Sequence, residues 1–320
     1  MKRRVLFAAT GLLGLSMLAP VVAQAQDNKV FRFVPHANLA VLDPIWTTAY
    51  VTRNFGYMVY DTLFAMDEKY QVKPQMVDTW TTSDDGLVWT FKLRDGLEWH
   101  DGQPVTAEDC VASLKRWAVR DAMGQKLAQS IQDYKIVDAK TFQIVLKEKF
   151  GQIINAIGKP SVVVPFMMPK RIAETDPFKQ IDEYIGSGPF IFKKEEWKPG
   201  EKLVFTKFAK YKPRAEPAAG LSGGKVANLD RVEWIWIPDA ETQVNALLNG
   251  EIDMLEAVST DHLPLVEKSR NIRVIRNATS NQYVFRMNWL LPPFNNVKEF
   301  VEYAKKKGGM NYGTWGTGSS

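Results

Sequence analysis

Catalysis in this 320-residue chain would have to be built from three histidines, one cysteine and a glycine-rich end. His36, His100 and His262 stand far apart, and none sits in an H-E-x-x-H or comparable spacing that sets two metal ligands on one helix face. Neither a metal site nor a cofactor is expected. Cys110 lacks a nearby base to activate it, and no G-x-S-x-G elbow is present. The closing G-T-W-G-T-G-S-S lacks the G-K-[ST] of a phosphate loop, so its plain reading is a flexible end. Binding has better support. Trp46, Tyr50, Tyr57 and Trp289 lie outside obvious strand interiors, and concave sites combine such faces with a few polar groups. Core packing is the commoner fate of any one of them.

The ends and the composition narrow the setting. Lys2, Arg3 and Arg4, the apolar run Val5–Leu18 and then Ala23-Gln24-Ala25 read as a secretory signal over residues 1–25, cleaved near Ala25. Gly11, Gly14 and Ser16 interrupt the apolar run, which is short for a bilayer span, so an anchor is disfavoured. No cysteine stands at the cleavage site, and a soluble periplasmic protein is expected rather than a lipoprotein. Losing the signal removes three cations and no anions, which takes the formal charge from +5 to +2. The remaining lysines and arginines are spread among carboxylates, and Lys305-Lys306-Lys307 reads as a solvated helix end. Nucleic acid, which needs a clustered basic face, is therefore not an expected partner. With one cysteine no intramolecular disulfide can form, and Cys110 is expected to be a buried small hydrophobe.

The elements that must position any site are clearest in Trp80–Trp117, W-T-T-S-D-D-G-L-V-W-T-F-K-L-R-D-G-L-E-W-H-D-G-Q-P-V-T-A-E-D-C-V-A-S-L-K-R-W. Asp85-Gly86, Asp95-Gly96 and Asp101-Gly102 supply the positive φ of tight turns between two or three short strands. Thr106 and Asp109 then offer a capping box for a helix starting at about Ala107. Elsewhere the patterns predict a strand at Val30–Val34, a helix at Asn54–Leu63, and hairpins at 64–76 and 134–146. Further strands are predicted at 191–194, 203–207, 232–237, 252–255, 272–275 and 283–287, with a helix at Asp239–Leu248 stopped by Gly250. Pro213–Gly224 reads as a surface loop. This order suggests an α/β lobe interrupted by an α+β subdomain.

The same block closely resembles the signature of the family 5 extracellular solute-binding proteins, the oligopeptide and dipeptide receptors of ABC importers. The shared pattern is W-x-x-S-D-D-G-L-x-W-T-F-x-L-R-D-G-x-x-W-H-D-G-x-P-x-T-A-E-D-x-x-x-S. Leu42-Asp43-Pro44, Val59–Phe64, Gly186–Phe190, Trp197–Gly200 and Leu247–Asp253 agree with it, so the resemblance runs from about Val30 to about Asn296. It implies a periplasmic-binding-protein-like lobe I with an α+β side subdomain. Mapped here, residues 26–60 and 185–285 make lobe I and 61–184 the side subdomain. It also implies that the loop His36–Thr48 and the crossing near Asn281 border the ligand cleft. Trp46, Thr47, Gln282 and Tyr283 are the ligand-binding residues expected on that basis.

Beyond Asn296 the pattern departs from the family, which continues into lobe II. The stretch F-N-N-V-K-E-F-V-E-Y-A-K-K-K-G-G-M-N-Y-G-T-W-G-T-G-S-S is similar to a segment of the Bug-type receptors of tripartite tricarboxylate transporters. Residues 286–320 are thus expected to be the start of the lobe II crossing followed by a foreign-looking tail, with the second lobe largely missing. The expected function is the periplasmic substrate-binding component of an ABC importer for peptides or related small solutes, impaired in enclosing its ligand. Its partners are the solute and the importer's permease subunits, and a monomer is expected. A non-functional or partner-dependent fragment of a gene fusion is the alternative, and a secreted hydrolase a weaker one that the histidine census disfavours.

Overall fold

The computed structural model describes residues 29–276 and 288–308. The signal segment, Gln282, Tyr283, the strand expected at 283–287 and the glycine-rich end lie outside the described residues. Strand β1 (Val30–Val34) falls where its pattern places it and leads through a largely buried loop to helix α1 (Tyr50–Val59). The helix expected at Asn54–Leu63 therefore begins and ends earlier. Thr47 Oγ1 accepts the Ala49 N–H at 3.2 Å and turns the chain into α1, and the Tyr60 N–H closes it on the Gly56 carbonyl at 2.8 Å. Asp61–Thr62 is then drawn out as β2 because it pairs antiparallel with Phe166–Met167. Tertiary pairing overrides a helical pattern there.

Strands β3 (Phe64–Met66) and β4 (Val72–Pro74) form the expected hairpin. Strands β5 (Val77–Thr82) and β6 (Val88–Leu93) are joined at Asp85-Gly86, where Gly86 takes φ 74°. The other two Asp-Gly turns shape coil, in which an isolated bridge between Glu98 and Pro104 replaces a third strand. Helix α2 (Ala107–Arg120) starts with the expected capping box of Thr106 and Asp109. The Asp109 carboxylate also accepts Trp99 Nε1–H at 3.2 Å and the Lys170 N–H at 2.6 Å, so one acid ties together the second half of the signature. Cys110 is fully buried, and burial, reinforced by Asp109, pushes its thiol up.

Helix α3 (Ala122–Ser130) leads into the hairpin of β7 (Ile131–Asp138) and β8 (Thr141–Leu146), and the four-stranded sheet reads β5-β6-β8-β7. Then come α4 (Ile153–Ile157), β9 (Phe166–Met167) and α5 (Lys170–Ala173). Strands β10 (Phe190–Phe192), β11 (Lys202–Lys207) and β12 (Arg231–Ile235) precede α6 (Ala240–Leu248), which Asp239 caps and after which Gly250 takes φ 73°. Strand β13 (Met254–Leu255) and the short α7 (Leu263–Glu267) follow, and α8 (Val297–Lys307) carries Lys305, Lys306 and Lys307 on an exposed last turn. No strand forms at 272–275: Ile275 is 75% exposed, so its alternation has no face to bury. The 213–224 segment is irregular as expected, yet Arg214 Nη1 donates to the Val77 carbonyl at 2.9 Å and the Leu221 N–H to the Met66 carbonyl at 2.9 Å. It is docked along one side rather than free.

The second sheet reads β10-β11-β12-β1-β13, with β1 parallel to both β12 and β13. Strand β1 thus comes from the start of the described chain and both of its neighbours from residues some 200 positions later. One continuous apolar cluster joins this sheet to the four-stranded one. Phe55 of α1 is wholly buried against Phe192 and Phe205, with ring centroids at 5.2 and 5.9 Å.

Two polar locks cross that core. Asp43 and Arg116 are both buried and pair in a fork, Nη2 to Oδ2 at 2.9 Å and Nη1 to Oδ1 at 3.3 Å. The Ile45 and Ile181 N–H groups also donate to the carboxylate, and the Thr175 and Lys179 carbonyls take two more guanidinium donors. In the second lock the Gly186 N–H donates to His100 Nδ1 at 3.4 Å, so Nε2 carries the proton and donates to the Gly188 carbonyl at 3.0 Å. A Cβ on Gly186 would stand 2.0 Å from the Val59 carbonyl oxygen, so only glycine lets the segment lie against α1.

Arg116→Met leaves a buried carboxylate without its counter-charge and is expected to lower the unfolding free energy by about 3–5 kcal/mol, read from urea denaturation. His100 has its pKa lowered from 6.5 to about 4, chiefly by burial, with Gly188 and Asp101 opposing. Between those values only the unfolded chain takes up the proton. The contribution is whole above the higher value and declines as the pH falls toward the lower one. The stability margin of wild type over His100→Gln is expected to shrink by about 3 kcal/mol across that window.

Candidate ligand-binding site

Strands β12, β1 and β13 run parallel, and in such sheets ligands settle in the crevice outside the carboxyl ends, where successive loops part. Two side chains meet at that edge. His36 lies two residues past β1 and Glu256 one residue past β13, and the Glu256 N–H bonds the Val34 carbonyl at 3.0 Å. Glu256 Oε2 accepts the His36 N–H at 2.9 Å and contacts Nδ1 at 2.8 Å, which places the ring proton on Nδ1. His36 Nε2 is buried and has no partner.

Helix α1 supplies the rest. Asn54 Nδ2–H donates to Glu256 Oε1 at 2.9 Å, and Asn54 Oδ1 accepts from Arg53 Nε at 3.2 Å and Nη2 at 2.9 Å. Arg53 Nη1 donates to Ser161 Oγ at 3.2 Å, while its guanidinium lies 4.4 Å from the centre of the Tyr50 ring. Burial opposes ionisation of Glu256, but the His36 ring and amide and the Arg53 charge outweigh it and hold the carboxyl below its ordinary range. The arrangement is a polar relay beside an aromatic face.

The expected site residues fall partly elsewhere. Trp46 is half-buried, and Arg120 of α2 lies over its ring at 4.9 Å and donates to its carbonyl at 3.0 Å. Arg120 also lies 5.3 Å from the Phe178 ring, so Trp46 belongs to a packed cation–π layer. Thr47 spends its hydroxyl on the turn into α1. Gln282 and Tyr283 lie outside the described residues. Arg53, Asn54 and Glu256 are absent from the sequence expectations. The available signal is a charged residue directly after a predicted strand, which becomes informative only once β13 is known to run beside β1.

The cluster offers donors, acceptors and an aromatic face. Among the described residues no group of three or more His, Cys, Asp or Glu is arranged to hold a metal ion. A surface groove lies between α2, β7 and α5, is lined by Val111, Lys115, Tyr134 and Ile136 among others, and shares no residue with this cluster. We favour the strand edge because parallel strands end there, which the groove lacks.

Residues 71–299 match the family described as "Bacterial extracellular solute-binding proteins, family 5 Middle". The chain is 42% identical over 306 residues to a probable peptide ABC transporter periplasmic-binding protein of Sinorhizobium fredii, a match covering 92% of this chain and 56% of that protein. It is 26% identical over 301 residues to a glutathione-binding protein of Escherichia coli, again covering 92% of this chain and 56% of the relative. A dipeptide-binding protein from Pseudoalteromonas, solved in complex with Met-Leu, shares the fold with a TM-score of 0.68 at 20% identity, over 84% of this chain and 55% of that one. The chain belongs to the bacterial extracellular solute-binding proteins of family 5. It spans about half the length of the curated relatives it matches.

Glu256→Ala strands the His36 N–H and the Asn54 amide that now share the carboxylate. A loss of about 1–3 kcal/mol in unfolding free energy is expected, and an unchanged thermal midpoint would contradict the relay.

Proposed function

We propose that this protein is a periplasmic receptor that captures peptides or related small solutes at the carboxyl edge of β12, β1 and β13 and presents them to the permease subunits of an ABC importer. The observation that carries the reading is the Glu256–Asn54–Arg53 relay, a charged and hydrogen-bonding surface set where parallel strands end. Membership of the family and the peptide-transporter relative at 42% identity support it. In this reading the five-stranded sheet, drawn from segments 26–60 and 185–285, is lobe I, and 61–184 is a side subdomain packed on it.

Capture in such receptors is a population shift: a ligand that binds the closed arrangement more tightly draws the lobes together. No bond in the solute changes. The leader Met1–Ala25 would direct export, and the receptor would act as a monomer without a cofactor. Trp46 and Thr47 would then hold the cleft loop in shape, with Gln282 and Tyr283 on the facing crossing.

Calorimetric titration of the purified secreted protein with free dipeptides and tripeptides, glutathione included, tests the reading. Saturable one-to-one binding with a negative heat-capacity change is expected. Absence of saturable binding across the panel overturns it.

A further inference from the structure

The relay at the strand edge is electrically lopsided. Glu256 is spent: its two oxygens serve the His36 N–H, the His36 ring and the Asn54 amide. Arg53 is not. A guanidinium carries five N–H donors, of which Arg53 commits two to Asn54 Oδ1 and one to Ser161 Oγ, both neutral acceptors. Among the described residues no carboxylate lies within ion-pair distance of Arg53, in contrast to Arg116, Arg171, Arg214, Arg231 and Arg276. Asn54 separates it from Glu256, whose charge is felt without contact. Arg53 is half-buried, its guanidinium lies over the Tyr50 ring at 4.4 Å, and one N–H on each of Nη1 and Nη2 has no partner among the described residues.

We infer that Arg53 is the anchor for an anionic group of the solute, a carboxylate held by the two unspent N–H donors with Tyr50 packing beneath. This deepens the receptor reading and rests on it. A planar fork of this kind matches two carboxylate oxygens and discriminates by charge as well as shape. Asn54 and Ser161 hold the guanidinium flat without neutralising it, whereas an Asp or Glu at either position would cancel its charge. The ligands admitted are therefore solutes with a free carboxylate, and a peptide whose terminus is an amide is refused.

The test compares free-acid dipeptides with the same dipeptides as C-terminal amides, pair by pair, on the wild-type protein, Arg53→Gln and Ser161→Asp. Wild type is expected to bind each acid at least about tenfold more tightly than its amide, the scale of one charge-assisted pair. Arg53→Gln should bring acid and amide together. Ser161→Asp gives Arg53 an internal counter-ion and should weaken acid binding by a similar factor with no fall in Tm, which separates loss of the anchor from loss of fold. Equal affinity of wild type for acids and amides overturns the anchor and leaves the receptor reading standing. Failure of every acid and every amide to bind overturns both.

Discussion

A buried pair of opposite charges, Asp43 with Arg116, is the constraint on which the arrangement of the three main segments depends. Each charge alone would be far too expensive to bury, so the loop before α1, the middle of α2 and the chain around 175–181 must arrive together with their amides and carbonyls in place. The loop that carries Asp43 is also the one that starts at His36 and delivers the chain to α1. Fixing Asp43 therefore limits where His36, Arg53 and Asn54 can stand. The pair's value lies in specifying one arrangement more than in net stabilisation.

The second constraint is close approach. Gly186 and Gly188 lie against the backbone at Val59 and Tyr60, and the neutral His100 ring bridges them from the other side. This joins the signature block to the start of the later strands. It also explains why a histidine in the chain is a brace: its two nitrogens are fully used by backbone groups, and burial disfavours its charged form. Asp109 plays a matching part at the start of α2, with its oxygens taken by Thr106, Trp99 and Lys170. Acid and histidine alike are structural here.

Local pattern and tertiary structure divide along a physical line. The capping box at Thr106, the Asp-Gly turn at Gly86, the hairpins at 64–76 and 134–146 and the stop at Gly250 were legible because each depends on neighbours within a few residues. Where a distant partner decided, the pattern misled. Asp61–Thr62 continues a helical rhythm but is extended because Phe166–Met167 lies beside it, while 272–275 alternates like a strand yet has nothing to pair with among the described residues. The 213–224 segment is the irregular loop its composition predicts, but its hydrogen bonds to the Val77 and Met66 carbonyls span more than a hundred residues and are invisible to local pattern.

By itself the sequence determined the family, through a run of turns, caps and aromatic positions long enough to act as a signature, and with it the α/β character of the fold. It could not reveal the strand-edge site. Glu256 is informative only because β13 lies parallel to β1, and Arg53 only because Asn54 stands between its charge and that carboxylate. Those facts belong to residues some 200 positions apart along the chain. Charge compensation is a matter of distance in space, and that distance is set by packing rather than by order along the chain.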